Sequence, residues 1–156
     1  GTILREVEAA AAILAEEFSI GADVWSATSF NELGRDVQAT TRWNMLHPEA
    51  KPRTSYVEEC LSGRTGPVIA ATDYVRAYAE QIREVVPTTY KVLGTDGYGR
   101  SDSREKLREF FEVNRYYIVV AALKALAEEG VVKPAEVSKA IKKFNIDSNK
   151  TNPVLL

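Results

Sequence analysis

Leu4, Val7, Ala11, Leu14 and Phe18 recur every three or four positions, with Arg5, Glu6, Glu8, Glu16 and Glu17 mostly elsewhere on the wheel. That spacing predicts an amphipathic helix over residues 2–18, ended by Gly21. Asp23–Thr28, carrying Val24, Trp25 and Ala27, is short enough for a strand. Ser29-Phe30-Asn31-Glu32 then reads as a capping box, with Ser29 bonding forward and Glu32 reaching back, so a second helix runs toward Met45. Gly34 inside that helix costs about 1 kcal/mol relative to alanine. Either packing there is tight or the position is tolerant. His47-Pro48 closes the helix, because a residue before proline is pushed out of the α region; 48–52 is a loop, and a short helix spans Ser55 to Leu61.

Pro67–Thr72 is apolar enough throughout to be a central parallel strand covered on both faces. Asp73 is placed to cap a helix with Val75, Tyr78, Ala79 and Ile82 on one face, and Pro87 stops it. Tyr90–Leu93 is the next strand. Asp102-Ser103-Arg104-Glu105 is a further capping-box pattern, opening a helix that buries Leu107, Phe110 and Phe111. Tyr116–Leu123 is an apolar run whose periodicity does not distinguish strand from buried helix, but its continuation to Glu129 before Gly130 predicts a helix packed on most sides. Pro134 opens a last helix with Val137, Ala140, Ile141 and Phe144 inward, followed by a polar tail, 145–152. Val154-Leu155-Leu156 is apolar enough to dock on a neighbouring surface.

Strands alternating with helices predict an α/β fold of three layers, α/β/α, around a mostly parallel sheet. The three strands end in Thr28-Ser29, Thr72-Asp73 and Thr95-Asp96. Parallel strands gather these polar pairs along one edge, where ligands and partners of open α/β sheets meet the fold. Three strands make a narrow sheet, which a further strand before Gly1 would complete.

With 156 residues and 17.3 kDa, the chain is expected to form a single domain over residues 1–156. The formal charge of −2, with no basic cluster, argues against a nucleic-acid partner. No stretch approaches the ~20 apolar residues of a membrane span. The start lacks the layout of a signal peptide. A helix beginning almost at the first residue suggests a piece of something longer. Cys60, the one cysteine, cannot form an internal disulfide, fits a reducing cytoplasm, and reads as a small buried hydrophobe rather than a nucleophile.

The stretch Leu93–Arg104 concentrates the candidate chemistry. Gly94, Gly97 and Gly99 allow positive φ and close approach, while Asp96, Arg100, Asp102 and Arg104 bring hydrogen-bonding charge. Asp96, Gly97, Tyr98, Gly99, Arg100, Ser101, Asp102 and Arg104 therefore form the candidate interface or anion-binding loop. Its GxxGxG order is not the dinucleotide fingerprint, and neither a Walker sequence nor a GxSxG nucleophile elbow is present. The loop is either an amide nest that holds an anion with Arg100 and Arg104, or a tight turn whose arginines pair with Asp96, Asp102 or another subunit. His47 is the only histidine and reads as a plain loop residue. Glu58-Glu59 and Glu128-Glu129 point apart on helices and read as solvated surface; Trp25, Trp43, Tyr116 and Tyr117 read as core or interface. No catalytic, cofactor-binding or metal-binding set can be read from these residues.

Ser26–Phe30 with Glu32-Leu33, Arg42–Pro48, Ala71–Tyr74, Ala79–Gln81 and above all Val92–Arg104 resemble the carboxy-terminal domain of the homodimeric bacterial pyruvate dehydrogenase family, within the transketolase-like superfamily. The likeness extends through Lys142–Asp147 and Asn152-Pro153. The resemblance implies a whole enzyme, an oxidoreductase of the cytoplasm at the exit of glycolysis. That enzyme uses thiamine diphosphate and Mg2+ to decarboxylate pyruvate and passes the acetyl group to the lipoyl arm of the acyltransferase component, alongside lipoamide dehydrogenase. It also implies that the cofactor and catalytic residues belong to two preceding domains, so none is expected in this chain. The domain would be a subunit-packing unit with a mixed sheet, inactive alone, with its first strand just upstream of Gly1. Gly34, and Thr54-Ser55 in place of an apolar-Pro pair, depart from the family pattern.

Overall fold

Two clusters of buried side chains, one on each face of a short parallel sheet, organise the chain. The structure is a computed structural model that describes residues 2–156. In chain order the elements are α1 (Leu4–Phe18), α2 (Phe30–Leu46), α3 (Tyr56–Leu61), β1 (Val68–Ala71), α4 (Ala77–Glu80), β2 (Tyr90–Leu93), α5 (Arg104–Phe110), α6 (Arg115–Glu128) and α7 (Pro134–Lys143), with 3-10 turns at Arg83–Val85 and Pro153–Leu155. β1 and β2 run parallel with Val68 opposite Tyr90 and Ala71 opposite Leu93.

Side chains alternate across a strand, so the sheet serves two layers. Ile69, Ala71 and Leu93 pack on α1, α6 and α7, where Ala10, Leu14, Val119, Leu123, Val137 and Ala140 form the core. Val68, Ala70, Tyr90 and Val92 pack with Val37 of α2, Val57 of α3 and Ala79 of α4. This is the three-layer α/β arrangement that the alternation of elements implied. The apolar run in α6 is helical, with Ile118, Val119, Ala122, Leu123 and Ala125 all buried, and Asn114 caps it by accepting from the amides of Tyr116 and Tyr117.

Five local expectations fail. Asp23–Thr28 is not a strand: a strand exists only by pairing, and β1 and β2 pair only with each other among the described residues. The segment is exposed instead, and Arg64 covers it by pairing with Asp23 and lying over the Trp25 ring. Asp73 does not cap a helix. The Thr72 hydroxyl accepts from the Tyr74 amide and Asp73 carbonyl accepts from Thr95, so the chain turns before a helix only four residues long, and Val75 and Tyr78 stay exposed. At α2, Ser29 accepts from the Glu32 amide at 3.3 Å as expected, but Glu32 pairs with Arg35 rather than reaching back. At α5 the cap is Ser103, accepting from Lys106, while Asp102 accepts from the Ser103 amide. A full capping box forms where none was expected, between Ser55 and Glu58 at α3, so Glu58 is a cap and not solvated surface.

Gly34 sits in tight packing: a methyl group there would lie 2.8 Å from Gln81 Oε1 and 2.9 Å from its Cβ. Pro67–Thr72 holds a parallel strand, yet every residue of β1 is only half-buried, because a single neighbouring strand covers one of its edges.

Candidate functional site

The carboxyl ends of β1 and β2 are knitted into one platform. The Thr72 amide donates to Leu93 carbonyl at 3.0 Å, the Thr95 amide to Tyr74 carbonyl at 2.9 Å, and the Thr95 hydroxyl to Asp73 carbonyl at 2.7 Å. Two of the three predicted polar strand ends therefore meet along one edge. Gly94 makes the approach possible, since a methyl group on it would come within 2.9 Å of Tyr74 carbonyl oxygen and 2.7 Å of the Arg76 side chain.

Asp96 anchors the loop to the other strand's connection. It accepts from the Arg76 amide at 2.9 Å and pairs with the Arg76 guanidinium. Burial pushes the Asp96 carboxyl up, but these Arg76 hydrogen bonds outweigh it and hold the group below the ordinary aspartate value. The loop arginines thus do not pair with Asp96, and Asp102 is engaged with backbone. Arg100 instead lies over the Phe110 ring, 4.4 Å from its centre. Arg100, Ser101, Asp102, Lys106, Leu107 and Phe110 line a shallow depression of about 280 Å³. Gly97 turns the chain at φ +98°, and the exposed tip beyond it carries Tyr98, 83% exposed, and Gly99 in open space.

A second groove, about 370 Å³, runs along β2 between Arg76, Glu80 and Arg83 on one side and Ala121 and Lys124 on the other. Its cations are paired: Arg83 with Glu80, and Lys91 and Lys124 with Glu128. Arg83 also donates to Tyr90 carbonyl at 2.9 Å, covering part of the strand edge. His47 is stacked on Trp43 at 4.3 Å with Arg53 on the same ring at 3.8 Å, and Cys60 is half-buried on α3. Among the described residues no three His, Cys, Asp or Glu side chains group closely enough to hold a metal ion, and no helix is long and apolar enough to cross a membrane.

Gly94 and Gly97 form a glycine-rich turn at the carboxyl ends of the parallel strands, tied across two connections and flanked by the exposed Tyr74 and Tyr98. The family model described as the transketolase-like TK C-terminal domain matches residues 1–114, from α1 through this loop and α5. The chain belongs to that family. This transketolase-like C-terminal domain is 64% identical over 155 residues to the pyruvate dehydrogenase E1 component of Pseudomonas aeruginosa, 56% identical over 154 residues to that of Cupriavidus necator, and 53% identical over 156 residues to that of Escherichia coli K12. Each alignment covers 99% of this chain but only 18%, 17% and 17% of the relative. The chain thus spans under a fifth of the length of the curated relatives it matches.

The most buried charge in this transketolase-like domain is one that sequence reasoning placed on the surface. Glu6, 5% exposed, accepts from Arg108 at 3.1 Å and from the Arg115 amide and side chain at 2.9, 3.0 and 3.2 Å, joining α1 to the start of α6. Hydrogen bonds from the Arg115 side chain lower its carboxyl below the ordinary value, against the opposing effect of burial. A signal was present: Glu6 lies three residues after Ile3 and four before Ala10, both buried, so it shares their helix face.

Proposed function

We propose that this chain is the carboxy-terminal supporting domain of a pyruvate dehydrogenase (acetyl-transferring), with the strand-end loop and its neighbours packing against the rest of that enzyme and its sister subunit. The observation that carries the reading is 64% identity over nearly the whole chain to a pyruvate dehydrogenase E1 component more than five times its length. The whole enzyme would oxidatively decarboxylate pyruvate in the cytoplasm and hand the acetyl group to the lipoyl arm of an acyltransferase component, with lipoamide dehydrogenase as the further partner.

Thiamine diphosphate and Mg2+ would be held by parts of the enzyme outside this chain. The residues here do not fit that group on their own. Asp96 is taken by Arg76, and Asp102 accepts from the Ser103 amide, so the loop offers no free cluster of carboxylates for a divalent cation. Titration calorimetry of the isolated chain with thiamine diphosphate and Mg2+ is expected to give no heat of binding. A chimera in which this chain replaces the matching segment of the Pseudomonas aeruginosa relative is expected to turn over pyruvate. Micromolar cofactor binding by the chain alone, or a folded chimera without activity, would refute the proposal.

A second reading, an anion- or partner-binding regulatory module at the same loop, draws support from Arg100 and Arg104, neither of which forms an ion pair among the described residues. Titration with inorganic phosphate tests it. Binding by the unaltered chain that disappears in the Arg100→Ala, Arg104→Ala double variant supports it, and no binding by the unaltered chain removes it.

A further inference from the structure

Residues 145–156 lie across α5 and the strand-end loop and are tied down at two points. The first tie is Lys150. Its ammonium donates to the carbonyls of Phe110 at 2.7 Å and Glu109 at 3.1 Å, at the end of α5, and stands 3.6 Å from Glu112. It also lies over the rings of Phe110 and Tyr117. Carbonyls in the last turn of a helix lack partners within it, and a cation is the favoured group there. The second is a close approach rather than a bond: Pro153 is buried, and a methyl group on Gly97 would lie 3.3 Å from Pro153 carbonyl oxygen and from Val154 Cα. Within the segment, Asp147 receives the Asn149 and Lys150 amides and Asn152 receives the Val154 amide.

Both ties end on the loop's own supports. Phe110, which bears Lys150, also bears Arg100 on its ring, and Gly97, which meets Pro153, is the point where the loop adopts positive φ. Tyr98, Gly99 and Arg100 are otherwise exposed. We propose that the carboxy-terminal strap is a latch that sets the shape of the Gly97–Arg104 loop. With the strap seated, Gly97 is pinned and Arg100 lies on Phe110; with it released, the loop tip loses its backing. By reciprocity of coupling, a partner that grips Tyr98 and Arg100 seats the strap more firmly, and loss of the strap weakens that partner. The latch rests on this geometry alone and is testable whether or not the chain assembles as proposed above.

Native-state tryptic cleavage after Arg100 and Arg104, followed by mass spectrometry, gives the test, comparing the unaltered chain, Lys150→Met, and a chain ending after Lys150. Cleavage at these two sites is expected to quicken about tenfold in both altered chains, Lys150→Met losing the charge-assisted tie and the shortened chain losing the Pro153 contact. Lys150→Arg, which keeps donors and charge, is expected to stay near the unaltered rate. Loop cleavage that stays at the unaltered rate in the shortened chain overturns the proposal, and this arm decides the matter even if Lys150→Met fails to fold.

Discussion

At the scale of single residues, Glu6 decides how the first helix is fixed to the far end of the chain. Its carboxylate has traded water for Arg108 and Arg115, and because its pKa is lowered on folding, the stabilisation is complete above the unfolded value near 4.5 and is lost as pH falls through the lower folded value. Glu6→Gln keeps the shape but removes the charge. We expect a loss of about 2 kcal/mol at neutral pH, the worth of hydrogen bonds to a charged group, and about 4–8 °C in Tm for a chain of this size. Urea unfolding of both chains at neutral pH and near pH 3 checks the source. The gap must shrink in acid, and a gap of equal size at both values would rule out the carboxylate. Gly34→Ala is a second residue-scale case, in which two effects oppose. Alanine adds about 1 kcal/mol of helix propensity, but its methyl group would overlap Gln81, whose amide is itself held by Asn31 at 2.8 Å. Overpacking of that kind costs about 1–3 kcal/mol, so the variant should be less stable than the parent in the same urea assay, and a stabilised variant would show that Gln81 yields freely. The sequence made Gly34 legible as a question but not Gln81 as its answer, because that contact joins α2 to α4 across the fold.

At the scale of elements, most helices and the two strands that pair were readable, whereas the strand-like segment that finds no partner was not, and the reason is physical. A helix closes its hydrogen bonds within itself, so the pattern and length of the apolar run in α6 suffice to mark it. A strand's bonds are made elsewhere, and Asp23–Thr28, with Val24 and Trp25, has strand composition but no partner among the described residues. β1 bonds to β2 through Val68, Ala70 and Thr72, which leaves the main-chain groups of Ile69 and Ala71 on its other edge without a strand beside them. Among the described residues no strand covers either outer edge, but Arg83 caps Tyr90 carbonyl on the β2 side, and an uncovered edge templates pairing with another chain. The isolated chain is therefore expected to self-associate as concentration rises, measured by size exclusion with light scattering. A monomer throughout the range would mean that the edge is already shielded.

At the scale of the whole molecule, three exposed tyrosines lie where the strands end: Tyr74 is 67% and Tyr98 83% exposed, Tyr78 is exposed as well, and the Tyr74 and Tyr78 rings meet edge to face at 5.7 Å. Aromatic side chains so placed do little for the domain itself and much for an interface that buries them. The glycine spacing made the close approach at Gly94 and the positive φ at Gly97 legible, whereas Val75 and Tyr78 were misassigned to a buried helix face, because Thr72 and Thr95 redirect the chain and shorten that helix to four residues. The double variant Tyr74→Ser, Tyr98→Ser separates the two roles. In the isolated chain the pair should change unfolding free energy by no more than about 0.5 kcal/mol each, as exposed substitutions do. In the chimera with the longer relative the same pair should weaken subunit association by at least about tenfold, since each buried aromatic anchor at an interface is worth more than about 1 kcal/mol, read by sedimentation across a dilution series. If the isolated chain unfolds and the chimera's association is untouched, the tyrosines serve the domain's own packing and the strand-end surface faces solvent in the assembled enzyme.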